Sequence, residues 1–308
     1  MKIQHDIPTY SICWLANTYD KATATGRIAH YYLPESMTEL QELCRSLSGA
    51  GIAYHVIGHT SNLYFRPDTS LAHVVSTRLL TEWTEGEDRV NCDCGVSVKT
   101  LAKRMVEAGV EGFSGLVDLP GTVGASIYGN ATVGPYSINA LLVSVTLLLP
   151  DGRIRDFAPE DLKLEYRSSA LKRGELKGTI LRCRLRRVKG DADRIQATAA
   201  YYHQWRVANQ PGPSRNLGTT SLLSAPNLYG RLLRACAKVM CLLARPADPV
   251  AYKTHLLLRL AGYSRLVPYL QGVNRYMWMD SLAHHHFDGY VDFLHKLFKR
   301  PKLEIEIW

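Results

Sequence analysis

Apolar positions along the chain change period repeatedly, from the three-to-four spacing of helices to the alternation of strands. A helix is predicted after Ser36, where Leu40, Leu43 and Leu47 follow a residue type that caps helices well. The apolar run 52–57 (Ile-Ala-Tyr-His-Val-Ile) predicts a buried strand ending in a small-residue loop, Gly58-His59-Thr60-Ser61-Asn62. A strand at 89–94 and an amphipathic helix over 98–108, with Leu101, Met105 and Val106 on its apolar side, come next. Residues 141–149 read as a long buried strand turned by Asp151-Gly152, and 179–188 as a strand of alternating pattern. Helices are predicted over 193–209 and 229–243, the second with Leu232, Leu233, Cys236 and Val239 on its apolar side and Arg231, Arg234 and Lys238 elsewhere. Such a basic amphipathic helix can seek a membrane or a partner, but packing on the core is the commoner outcome. The mixture is an α+β architecture. Gln210-Pro211-Gly212-Pro213 marks a boundary, which gives units at 1–70, 71–209 and 210–308, with the basic helical segment near 229–255.

With 308 residues and 46% hydrophobic content the chain holds a substantial core, and its mean hydropathy of −0.13 is that of an ordinary globular protein. The start lacks an apolar signal core, and no run approaches the ~18 apolar residues of a membrane span, so a cytoplasmic protein is expected. Seven scattered cysteines, an odd number, suit reduced thiols. Cys92-Asp93-Cys94 has no second ligand pair at metal-binding spacing. The histidines 284–286 precede a predicted helix, where consecutive side chains diverge, so no metal is expected there either. The net charge of +9 concentrates at 182–189 and 295–302, without the interleaved stacking aromatics of a nucleic-acid face; a positive field also suits small anionic ligands.

The densest cluster of small residues is 119–131, Leu-Pro-Gly-Thr-Val-Gly-Ala-Ser-Ile-Tyr-Gly-Asn-Ala, with three glycines and two alanines around a Pro-Gly turn. Such a segment lets main chain touch a ligand, and N–H groups there are suited to a diphosphate. The loop at 58–62 offers a second surface of the same kind.

These motifs resemble the UDP-N-acetylenolpyruvoylglucosamine reductases of peptidoglycan synthesis, within the vanillyl-alcohol-oxidase-like class of FAD-binding folds. Gly58, Ser61 and Asn62 are similar to that family's Gly-Gly-Gly-Ser-Asn loop, with His59 and Thr60 in place of two glycines. Pro120, Gly121, Thr122, Gly124, Asn130 and Ala131, with Ala125 among them, are similar to its Pro-Gly-Thr-Val-Gly-Gly…Asn-Ala-Gly loop. The likeness continues in Asn17-Thr18-Tyr19, in Tyr166-Arg167-Ser168-Ser169-Ala170-Leu171-Lys172, in Arg206…Gln210-Pro211 and in the closing Leu303-Glu304-Ile305-Glu306-Ile307. The resemblance implies two FAD subdomains, 1–70 and 71–209, whose loops embrace the FAD diphosphate non-covalently, followed by a substrate domain. A histidine at 59 also leaves open a covalent flavin bond, as related oxidases form at a neighbouring position.

The resemblance further implies Arg167 as the guanidinium facing a developing carboxylate charge, Glu306 as the C-terminal catalytic carboxylate, and a hydroxyl acid at Thr219 or Ser221, depending on register. Glu304 and Glu306 are expected on one face of a strand, with Leu303, Ile305 and Ile307 on the other. Ser224 and Ala225 stand where the family has its Lys-Asn pair, and residues 274–280 depart from its His-Ala-Asn-Phe-Ile-Val-Asn. The implied activity is reduction of an enol ether or alkene on a small anionic substrate, the family's own being a UDP-sugar, with NADPH or NADH as reductant. A flavin oxidase or dehydrogenase and a non-catalytic binding protein remain as alternatives.

Overall fold

In the computed structural model the described residues are 1–14, 16, 21–210, 221–222, 225–273, 275–278 and 286–308. Ser36 caps the helix Met37–Gly49 by accepting a hydrogen bond from Glu39 N at 3.2 Å, and the predicted leucines are its buried stripe. Beside it lies a four-stranded sheet in the order Lys2–Pro8, Arg27–Leu33, Leu71–Ser76, His55–Ile57, whose last three strands are mutually parallel. The run 52–57 is shorter and less buried than its composition suggests: only His55–Ile57 is strand, and Ile52 and Val56 are exposed. Its place at the sheet edge is the reason, since one flank and part of a face stay open to water.

The second sheet is antiparallel, ordered Ile154–Phe157, Leu142–Leu148, Thr179–Arg186, Arg89–Asp93, Trp83–Glu85. Thr179–Arg186 buries every second residue on one face, as its alternation predicts. Helices Val98–Glu107 and Ala192–Asn209 contribute Leu101, Ala102, Met105, Ile195 and Ala199 to a core with Val90, Val145, Leu147 and Leu185 of the sheet. A second apolar cluster joins Leu40, Cys44 and Leu47 of the first helix to Val75, Cys94, Leu148 and Leu181. Through it the two sheets share buried surface, so the loops after His55–Ile57 and Arg89–Asp93 hold fixed positions in one body.

That body is one of two compact units: Met1–Ile7, Arg27–Thr60 and Ser70–Trp205 form it, while Pro8–Gly26, Ser61–Thr69 and Arg206–Trp308 form the other. In the second unit the helices Leu228–Ala244, Pro249–Leu260 and Phe287–Leu297 enclose Ala237, Leu257, Leu258, Tyr290, Phe293 and Leu297. Short strands close it: Ser221–Leu222 pairs with Lys302–Leu303, and Glu306–Ile307 runs parallel to Leu63–Tyr64.

The helix predicted over 229–243 forms as Leu228–Ala244 but presents the opposite face to the core. Gly230, Ala237 and Cys241 are buried and Leu233 packs half-buried on the core as predicted, whereas Leu232, Cys236 and Val239 are exposed. At Gly230 the reason is close approach: a Cβ placed there would lie 2.1 Å from Leu297 O, so no larger residue fits at that contact. Among the described residues no helix is long and apolar enough to cross a membrane.

Candidate functional site

Within the first unit the two small-residue loops meet. A Cβ placed on Gly58 would lie 2.3 Å from Thr122 Oγ1 and 3.0 Å from its Cγ2, so this contact leaves room for glycine alone. Gly124 is crowded too, by the residue after the strand Arg89–Asp93: an added Cβ would stand 2.9 Å from Cys94 Cβ and 3.0 Å from Cys94 O. Gly121, at φ 116°, turns the chain where an L side chain is strained, and its carbonyl accepts from Val98 N at 3.1 Å.

The donors of this loop are largely spoken for. Val123 N binds Val96 O at 2.8 Å, Gly124 N binds Cys94 O at 2.9 Å, and Ala125 N binds Thr122 Oγ1 at 3.3 Å as a helix cap. The first two N–H groups hold the loop against the residues that follow the strand Arg89–Asp93, and the third is spent within the loop. What the segment offers a ligand is close main-chain approach, which is narrower than the N–H cradle its composition suggests.

Asn130 has a structural task as well. It sits at φ 47°, a conformation asparagine tolerates better than most residues, and its Nδ2 donates to Glu165 O at 2.5 Å while its Oδ1 accepts from Asn139 Nδ2. Ser169 Oγ donates to Tyr128 O at 2.7 Å and accepts from Lys172 N at 3.1 Å. These bonds fasten the segment 165–172 to the end of the Pro-Gly loop, which puts Arg167, itself at φ 56° with its guanidinium 5.7 Å from the Tyr166 ring centre, beside that loop. The Tyr-Arg-Ser-Ser motif and the Asn-Ala motif are therefore one assembly, a link that their separation in sequence conceals.

In the first loop, Thr60 is buried at φ 56°, and its hydroxyl donates to His59 O at 2.7 Å. Burial, and secondarily the Arg78 guanidinium, hold the His59 imidazole below its ordinary range, so His59 is neutral at pH 7. Arg78 donates to Tyr31 OH at 2.8 Å, and Thr77 N donates to Ile57 O at 2.9 Å, which locks the strand end that leads into the loop. Ser61 and Asn62 belong to the second unit, where Asn62 Nδ2 donates to Glu304 O at 3.0 Å and Glu306 N donates to Asn62 O at 3.0 Å. The closing run is not a continuous strand. It bends at Glu304 and Ile305, which buries both, and Glu306 is half-buried. The bend breaks the alternation expected of a continuous strand: the neighbours Glu304 and Ile305 are both buried. Ser221 is fully buried and accepts a hydrogen bond from Tyr290 OH at 2.9 Å. Thr219, the motif at 17–19, Pro211 and the histidines at 284 and 285 lie outside the described residues.

A dinucleotide fits this geometry. Near the loops, two buried polar atoms have no hydrogen-bond partner among the described residues: Ser76 Oγ, on the residue in register with Ile57, and Asn139 Oδ1, beside Asn130. Buried polar atoms of that kind are normally satisfied by ligand or water. The contact at Gly58 holds both loops to one place on the body.

Fold and site thus define an FAD-binding protein of the two-loop type, and residues 28–158 match the family model of an FAD binding domain. In sequence the chain is similar to the UDP-N-acetylenolpyruvoylglucosamine reductases. It is 24% identical over 208 residues to the UDP-N-acetylenolpyruvoylglucosamine reductase of Caldicellulosiruptor saccharolyticus, covering 68% of this chain and 67% of the relative. It is 28% identical over 199 residues to the reductase of the same name from Nostoc sp., covering 64% and 60%. With the latter, the matched region therefore falls short of two thirds of the relative's length. The crystal structure of UDP-N-acetylenolpyruvylglucosamine reductase (MurB) from Thermus caldophilus shares the fold over the whole chain, with a TM-score of 0.69, 19% identity, and coverage of 100% and 99%.

Proposed function

We propose that this chain is an FAD-dependent reductase that takes electrons from NADPH or NADH and reduces an enol ether or alkene on a small anionic substrate. The enolpyruvyl UDP-sugar named in its relatives is the first candidate. The observation that carries this reading is the meeting of Gly58 with Thr122, which brings two glycine-dependent loops of an FAD binding domain to one place.

Gly58 to Asn62 and Pro120 to Ala131 would hold the cofactor, whose chemistry is to accept hydride from the nicotinamide and pass it to the substrate alkene. Arg167 is the group we assign to the carboxylate next to that alkene: a guanidinium stays protonated and offers a planar fork of donors as charge develops on the carboxylate. Hydride addition at one carbon requires a proton at the other, and a hydroxyl of this chain supplies it. Ser221 is tied beneath Tyr290 in a fully buried position, which favours Thr219 as the donor. Glu306 is assigned to orienting the substrate or sharing its proton.

The test is a visible absorption spectrum of the purified protein, followed by anaerobic titration with NADPH and then by enolpyruvyl-UDP-N-acetylglucosamine. A flavin spectrum bleached by NADPH and restored by the substrate is expected. A colourless protein that takes up no added FAD would refute the cofactor assignment. A flavin reduced by an alcohol and reoxidised by oxygen, but untouched by NADPH, would replace the reductase with an oxidase.

A further inference from the structure

The helix Leu228–Ala244 is fixed to its unit by one face and bare on the other. Asn227 caps it by accepting from Gly230 N at 2.8 Å, and the same side chain donates to Lys296 O at 2.8 Å. Gly230, Ala237 and Cys241 form the buried stripe against the core. At about 100° per residue, Leu228, Leu232, Val239, Leu242 and Leu243 fall on the opposite side, and these five are 56 to 79% exposed. Ala235 and Cys236 complete that outward face, and both are exposed.

The charges are ordered too. Arg231, Arg234 and Lys238, continued by Arg245 at the C-cap, project along one flank between the buried and the bare stripes, and all four are exposed. The helix contains no acidic residue. A protein surface in water rarely shows so continuous an apolar face, and such patches mark contact sites. An apolar stripe edged by a row of cations is the arrangement of a helix lying in a lipid interface, with the aliphatic side chains below the headgroups and the cations at their level.

We infer that the outward face of Leu228–Ala244 docks on an anionic phospholipid surface. The sign of the charge selects the occupant: the row of cations calls for anions beside an apolar phase, which an acidic membrane supplies along the whole row. A second copy of the same helix brings only more cations, and the chain as a whole carries +9. The inference is independent of the redox reading, because lipid contact is measured without turnover.

The experiment is co-sedimentation of the full chain with vesicles of phosphatidylcholine alone and of phosphatidylcholine with phosphatidylglycerol. It is paired with an environment-sensitive fluorophore on Cys236, the exposed thiol of that face. Binding to the anionic vesicles, a blue shift of the label there, and weakening by salt are expected. Arg231→Gln/Arg234→Gln/Lys238→Gln should lower affinity by on the order of 100-fold, from the usual contribution of a basic residue near an anionic surface. Leu232→Ser/Val239→Ser/Leu243→Ser should abolish sedimentation. Circular dichroism should be unchanged in both, since every substituted side chain is exposed. The proposal is overturned if wild type ignores anionic vesicles, binds both compositions equally, or retains binding in either triple variant. It is also overturned if the apolar variant instead dissolves a dimer seen by analytical ultracentrifugation, which would make this face a contact between copies.

Discussion

Gly58→Ala tests the contact on which the site depends. Where nothing crowds a glycine at negative φ, alanine stabilises by about 0.4–1 kcal/mol, because the unfolded chain loses freedom. Here the new methyl would lie 2.3 Å from Thr122 Oγ1, well inside contact distance. Thr122 has little room to yield: it is buried, and its hydroxyl caps the helix Val123–Tyr128 through Ala125 N. Rotating it away sacrifices a cap worth about 1 kcal/mol, and forcing it aside adds overpacking strain of about 1–3 kcal/mol. Gly58→Ala is therefore expected to destabilise by about 1–3 kcal/mol in urea unfolding followed by circular dichroism.

Thr122→Ala removes the two atoms nearest that methyl, at a cost of about 1 kcal/mol for the lost cap. In that background Gly58→Ala should be close to neutral, which gives a coupling energy of at least about 1 kcal/mol in the double-mutant cycle. Because displacing a cofactor loop by 1.4 kcal/mol costs about tenfold in affinity, FAD titration should show Gly58→Ala weakened by about that factor and partly rescued by Thr122→Ala. Additive stabilities within about 0.5 kcal/mol would mean that the two loops do not touch, and the reasoning built on them would fail.

Asn130→Ala, which removes the bonds to Glu165 O and Asn139 and places alanine at φ 47°, should destabilise by about 1–3 kcal/mol and raise mobility at Arg167, checked by amide exchange of 165–172. His55, His59 and His73 are each held below the ordinary imidazole range of 6.5, chiefly by burial, so the unfolded chain binds protons first; stability should be fully present above pH 6.5 and decline as pH falls below it, read from urea midpoints, with a smaller slope in His55→Gln/His59→Gln. Maleimide on the native protein should modify Cys236 and spare the other six cysteines, three of which, Cys44, Cys94 and Cys183, also have thiols pushed up by burial or by a neighbouring thiol, with Cys94 at about 12; peptide mapping checks it.

Where a residue's role is set by local chain geometry, sequence reveals it. Ser36 and the leucines after it gave a helix because capping and periodicity act within a few residues. The Pro-Gly loop announced itself because Gly121 and Gly124 are required by turn angle and close backbone contact. Arg89–Asp93 and Thr179–Arg186 alternate because one face of their sheet is covered. The partnerships that join distant segments left no such mark. Nothing in Asn130 or Glu165 alone says that a side chain of one binds the carbonyl of the other, and nothing in Leu303 to Ile307 announces the bend that buries Glu304.

The helix Leu228–Ala244 fails differently, and the reason is physical. Hydropathy assumes that the largest apolar side chains seek the core, but where a helix backbone nearly touches a neighbouring carbonyl, as at Gly230, only glycine fits. Gly230 sits against Leu297 O, so the small stripe wins the core and the large stripe is turned outward. A sequence reader who weighs size and hydrophobicity together assigns this face to the interior. The structure gives the same residues a different meaning, because an aliphatic stripe that the core has declined must find its apolar neighbour outside the chain or stay in water at a continuing cost.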